Sequence, residues 1–216
     1  MNFYRLRSHL LLSSVMMALG CAPSNDGKQA LESTVPASAP IQTSGPKTRS
    51  VDNPDYLNWA KFPVGTRVVR KNSIVNDQGT VTVTTTLRLS EIDKSMAKVE
   101  SQITVERPSD LTVNPPQILE YLAKQSVLES TTDEQVVAPL REAKLLRDEN
   151  VVVLGKDVAV QVYTWKTALE SGPADVLGWY SDEIPGRQVM QEIDFGKAGK
   201  GTEEIILLET PAEPKP

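Results

Sequence analysis

From residue 66 onward, apolar and polar positions alternate in short runs separated by turn signals. Residues 80–90 are the cleanest case. Val81, Val83, Thr85, Leu87 and Leu89 fall on one side, and Thr82, Thr84, Thr86, Arg88 and Ser90 on the other. A period of two describes a strand with one face on a core and the other in water. Residues 97–106 repeat it, with Ala97, Val99, Ser101, Ile103 and Val105 set against Lys98, Glu100, Gln102, Thr104 and Glu106. Asp93-Lys94-Ser95 predicts a tight turn between the two. Ahead of them, residues 66–75 predict a strand that ends at Asn76-Asp77-Gln78-Gly79, a hairpin turn with glycine where positive φ is needed. The three strands predict an antiparallel meander.

The second half continues in the same style. Residues 151–154 are a short apolar run, turned by Gly155-Lys156-Asp157. Residues 158–169 follow, with Val158, Val160 and Val162 on one face and Tyr163 and Trp165 on the other. Strands are predicted over 175–181, 188–195 and 203–209, separated by Glu170-Ser171-Gly172-Pro173, by Ile184-Pro185-Gly186 and by a loop over 196–201. Seven or eight strands joined mostly by short turns predict a mainly β fold. The expected form is one antiparallel curved sheet or incomplete β-barrel, with at most one or two helices. Residues 115–150 are ambiguous. Residues 118–125 read as helix or strand. Residues 134–146 carry Val136, Val137, Leu140 and Ala143 at helical spacing, but Pro139 would end or kink that helix.

The N-terminal region is of another kind. Arg5 and Arg7 precede an apolar stretch over residues 10–19. At about ten residues it is too short for a bilayer core of ~30 Å, and it fits a secretory signal. Ala18-Leu19-Gly20-Cys21 resembles the lipobox of bacterial lipoprotein precursors, with Ala18 where Leu is usual and Leu19 where a small residue is usual. That resemblance implies that residues 1–20 are removed and that Cys21 becomes an acylated first residue. Two or more acyl chains hold a protein on a membrane where one does not. The alternatives are an ordinary secretory signal with an incidental cysteine, or an uncleaved anchor helix. Ala22 after the cysteine resembles the outer-membrane destination of enteric bacteria. The expected location is therefore the cell envelope, lipid-anchored at the outer membrane and facing the periplasm. Residues 21–51 are rich in Pro, Ser, Thr and Ala, with no aromatic side chain, and predict a disordered tether. Its thirty or so residues reach at most ~100 Å and average roughly 30 Å as a coil. One β domain is expected over 52–210, with a disordered tail over 211–216.

Composition narrows the chemistry. The 216 residues include one Cys and one His, Cys21 and His9, both in the N-terminal region. A disulfide within the chain, a Cys/His zinc site and His-dependent nucleophilic catalysis are excluded from the domain. The formal charge is -5, and removing residues 1–20, whose charged side chains are Arg5 and Arg7, takes it to -7. An acidic body argues against nucleic acid and against anionic lipid surfaces.

Few side chains remain as candidates. Trp59, Phe62, Trp165, Trp179 and Tyr180 could wall an apolar ligand pocket, although large aromatics more commonly fill a core. Asp182, Glu183, Glu192 and Asp194 lie near one hairpin but match no calcium loop. The 196–201 loop lacks the phosphate-loop pattern and leads into a strand. Arg141, Lys144 and Arg147 would share a solvated helix face. No catalytic residue, metal or cofactor is expected.

Trp59-Ala60-Lys61-Phe62-Pro63-Val64-Gly65-Thr66 opening a strand, then Val153-Leu154-Gly155-Lys156, Trp179-Tyr180-Ser181 and Ile184-Pro185-Gly186, is similar in order and spacing to small bacterial envelope lipoproteins of unknown function, planctomycete-type in style. Domains related to those are similar to the lipoprotein-localisation carriers. The resemblance implies an incompletely closed β half-barrel with a helical lid. The expected role is a non-enzymatic lipoprotein, held on the membrane through acyl chains on Cys21, that binds or carries an apolar ligand or contacts another envelope protein. The alternative is a structural or assembly lipoprotein with no ligand cavity. A carboxylate-only hydrolase is the one enzyme class the inventory readily admits.

Overall fold

The computed structural model describes residues 46–76, 79–169, 172–196 and 199–211. The expected signal segment, Cys21, most of the tether and nearly all of the tail lie outside the described residues. The chain divides into a unit Met1–Thr48 and a unit Arg49–Pro216, and the second carries the architecture.

That architecture is mainly β, with two short helices and one large antiparallel sheet that does not close into a barrel. The strands are β1 (Thr48–Asp52), β2 (Arg67–Asn76), β3 (Gly79–Ile92), β4 (Met96–Glu106), β5 (Leu111–Val113), β6 (Gln117–Leu122), β7 (Lys124–Leu128), β8 (Lys144–Val153), β9 (Lys156–Leu169), β10 (Gly172–Tyr180), β11 (Gln188–Asp194) and β12 (Lys200–Glu209). The helices are α1 (Pro54–Trp59) and α2 (Asp133–Val137). Ten strands form one sheet in the order β5-β4-β3-β2-β12-β11-β10-β9-β8, with β6 also on β4. Two meanders thus meet where β2 pairs with β12, for example Arg70 opposite Ile205. Register shifts between Leu89 and Glu91, Trp179 and Tyr180, Ile205 and Leu207, and Leu145 and Arg147 interrupt the ladders. Each is an irregularity of the kind that bends a strand and increases its twist.

The expected meander is present over β2, β3 and β4, and the turns have the expected chemistry. Gly79 has φ of 118°. Asp93 Oδ1 accepts from the amides of Ser95 at 2.7 Å and Met96 at 3.0 Å. The ambiguous middle resolves toward strand. Residues 118–122 fall in β6 and 124–125 in β7, with a bend at Ala123 between them. The helix read over 134–146 lasts only through α2, and β8 begins at Lys144. Pro139 explains the stop, because proline disfavours helix at the residue before it; Ala138 is already extended, with ψ of 148°. α2 starts on a reciprocal capping box formed by Thr132 and Gln135. Two departures concern the N-terminal side. Residues 48–51, read as tether, belong to β1, which pairs with β7. Trp59 ends an unexpected short helix, α1, capped by the Asn53 side chain on the Asp55 amide and started by Pro54, and residues 60–66 then lead directly into β2.

Val68, Leu87, Leu89, Ala97, Val99 and Ile205 form one buried cluster with Trp59 of α1 and with Ile184. Their registers place them on one face of β2, β3, β4 and β12. β9 is buried on both faces in turn, at Val158, Val160 and Val162 and then at Tyr163 and Trp165.

Candidate functional site

A seven-residue connection, 181–187, joins β10 to β11 and is tied down from several sides. Asn58 on α1 is 1% exposed. Its Oδ1 accepts from the Gly186 amide at 2.7 Å, and its Nδ2 donates to the Asp182 carbonyl at 3.1 Å. From the sheet, buried Arg70 donates to the carbonyls of Pro185 and Gly186 at 3.4 and 3.3 Å. Gly186 has φ of 73°, and a Cβ there would lie 3.0 Å from the Arg70 guanidinium. Arg187 is buried and links three pieces: its Nε pairs with Asp182 at 3.2 Å, a terminal nitrogen donates to the Val137 carbonyl of α2 at 2.7 Å, and Asp55 of α1 lies 3.9 Å away. Its donors therefore reach a helix C-terminal carbonyl, where positive charge is favoured.

These ties frame a cleft of about 960 Å³ between α1, α2, β8, β9 and the 181–187 loop. Leu57, Val136, Val137 and Val160 supply apolar wall, and Tyr180 closes part of it. Asp148, Glu149, Asp182 and Glu183 supply acidic wall, with Lys61 and Arg187 opposite in sign. The Arg147 guanidinium, 2.7 Å from Glu149, and the Trp179 indole hold the Glu149 carboxyl below its usual range. Burial pushes the Tyr180 hydroxyl well above the ordinary tyrosine range, so it stays a neutral phenol at physiological pH. Beneath the loop, burial also raises the Glu203 carboxyl, offset by Arg70 and by the hydrogen bond from Gln188 at 3.1 Å.

The sequence candidates are distributed unevenly over this geometry. Tyr180 lines the cleft. Trp59, Trp165 and Trp179 are buried at 0%, 8% and 5% exposure and do not line it, while Phe62 is half-buried outside it. Trp165 and Tyr163 pack on Tyr180, with ring centroids 6.5 and 5.9 Å away. Gly178 makes room for that packing, since a Cβ there would sit 2.7 Å from the Tyr180 ring and 2.8 Å from Trp165. Of the four acids read near one hairpin, Asp182 and Glu183 face the cleft and Glu192 and Asp194 do not. Among the described residues, no group of three or more His, Cys, Asp or Glu side chains could hold a metal ion. Asn58 and Arg187 were missed. Asn53-Pro54-Asp55 is a readable helix start for α1, but nothing local marks Arg187, which joins Asp182 of its own loop to Asp55 of α1 and the Val137 carbonyl of α2.

No protein-family model matches the chain, and no curated protein does. Solved structures do. One is described as a lipoprotein from Parabacteroides distasonis, 12% identical, with 68% of this chain and 97% of that one covered and a TM-score of 0.46. A second is described as an exported protein with a YmcC-like fold from Bacteroides fragilis, 8% identical, with 69% and 97% covered and a TM-score of 0.42. A third is the lipoprotein LppX of Mycobacterium tuberculosis, 13% identical, with 74% and 93% covered and a TM-score of 0.35. At such identities and scores the functional reading rests on the chain's own residues. Among the described residues, no helix is long and apolar enough to cross a membrane.

Proposed function

We propose that this chain is a non-enzymatic lipoprotein of the cell envelope, anchored through acyl chains on Cys21, whose β domain binds or carries an apolar ligand in the cleft. The cleft carries the reading. Its volume of about 960 Å³ falls at the upper end of the range of ligand pockets, roughly 300–1,000 Å³. Leu57 and Val137 stand 47% and 41% exposed on its walls, apolar surface that a ligand would remove from water. The anchor rests on Gly20-Cys21 behind a short apolar stretch with Arg5 and Arg7 ahead of it. An outer-membrane position facing the periplasm goes with Ala22.

Native mass spectrometry of protein extracted from membranes tests the ligand. The expected result is co-purified lipid on the unaltered chain and its loss in Leu57→Asp, which places a charge on the wall of the cleft. Bare protein in both would sink the carrier reading. Cys21→Ser tests the anchor: the substituted chain is expected in the soluble envelope fraction. Retention on membranes would overturn acylation.

One observation favours a second reading, an assembly lipoprotein that uses its surface. Leu111, Val113, Ile118 and Leu122 are all at least half exposed. Their registers against Glu106, Thr104, Glu100 and Met96 put them on one face of the β5 and β6 edge. Crosslinking to another envelope protein that is lost on Ile118→Asp would support that role.

A further inference from the structure

The cleft has a sign, and the sign selects a headgroup. Four acids on its wall are already engaged. Asp52 pairs with Lys124 at 2.7 Å, Asp133 with Arg49 at 2.7 Å, Glu149 with Arg147 at 2.7 Å, and Asp182 with Lys61 at 3.4 Å and Arg187 at 3.2 Å. The two cations on the wall, Lys61 and Arg187, are therefore both committed to Asp182. Asp148 and Glu183 also line the cleft, are exposed, and form no ion pair among the described residues. Apolar Leu57, Val136 and Val137 share that cleft with them.

Resting on the ligand reading, we infer that the cleft takes a cationic amphiphile. The alkyl chain lies against Leu57, Val136 and Val137, and the positive headgroup faces Asp148 and Glu183. A phosphate or carboxylate headgroup would meet acid with no uncommitted cation on the wall, in a chain whose formal charge is -5. Exposed charge pairs are each worth roughly 1.5- to 5-fold in affinity. Two such attractions for a cation, against two repulsions for an anion, set the two apart by about tenfold at low salt. Screening narrows that gap as salt rises.

The test is isothermal titration of the full chain with three twelve-carbon probes below their micelle concentrations: dodecyltrimethylammonium, dodecyl maltoside and laurate. The expected order is cation, then neutral, then anion, with about tenfold between the ends. D148N/E183Q changes two exposed side chains and leaves the apolar wall intact. It is expected to bring the cation to the affinity of the neutral probe, with the neutral probe itself unchanged within about twofold. Equal affinity for all three probes, or a cation preference that survives D148N/E183Q, overturns the headgroup inference while the ligand reading stands. Failure of every probe to bind overturns both. Displacement of the cation by a lysine-rich peptide, with no binding of the neutral probe, would also overturn it, because the site would then read peptide charge rather than an alkyl chain.

Discussion

Trp59→Ala is expected to lower the melting temperature of the chain by about 10–15 °C, the equivalent of about 3–5 kcal/mol for an aromatic removed from a core. Trp59 is 0% exposed and belongs to the same buried cluster as Leu89, Val99 and Ile205. With half-buried Tyr56 it packs α1 on the core cluster, so its loss leaves a void there. The cause is packing rather than polarity: the indole Nε1 is buried with no hydrogen-bond partner. Trp59→Phe, which keeps most of the ring volume and drops that nitrogen, should therefore recover most of the loss. Circular dichroism melts of the two variants decide the matter. Equal destabilisation by Phe and Ala would mean that a phenyl ring does not restore the packing the indole makes, and would overturn the ring-volume account.

Asn58→Ala is the second large effect, and it acts on the cleft directly. The side chain satisfies the Gly186 amide at 2.7 Å and reaches the Asp182 carbonyl at 3.1 Å, and it is 1% exposed. Alanine would leave a buried amide unpaired and sever α1 from the 181–187 loop. The expected cost is about 2–3 kcal/mol, above that of an ordinary hydrogen bond because a buried donor is left unsatisfied. The local effect should exceed the global one. Hydrogen exchange at Gly186 should speed up well before the sheet amides respond, because Asn58 Oδ1 is the acceptor for that amide. Arg70 and Arg187 would still grip it, so the sheet itself should stay folded. Unchanged exchange at Gly186 would show that the loop is held without Asn58.

Both substitutions fall on a helix that the alternation of apolar and polar positions does not reveal. α1 is only six residues long, Pro54–Trp59, too short to show helical periodicity. Its cap was readable in Asn53-Pro54-Asp55, but a cap alone does not say what the helix covers. The aromatic candidates show the same limit. Sequence identifies Trp59, Trp165, Trp179 and Tyr180 as large apolar groups. Whether each fills a core or faces a cleft depends on what lies across from it, and only Tyr180 lies on the cleft wall.

By itself, the sequence determined the strand-rich class and most of the long strands, with Gly79 and the Asp93 turn in place, because a period of two and local turn chemistry are written in neighbouring residues. It also determined the absence of any imidazole or thiol from the domain, because that is a matter of counting. Only the tertiary structure decided that β2 meets β12, that α1 and α2 stand beside the 181–187 loop, and that Arg187 joins them. Those contacts link residues 50 or more positions apart, and the free energy that selects them comes from burial and hydrogen bonding shared across the whole fold, which no local pattern encodes.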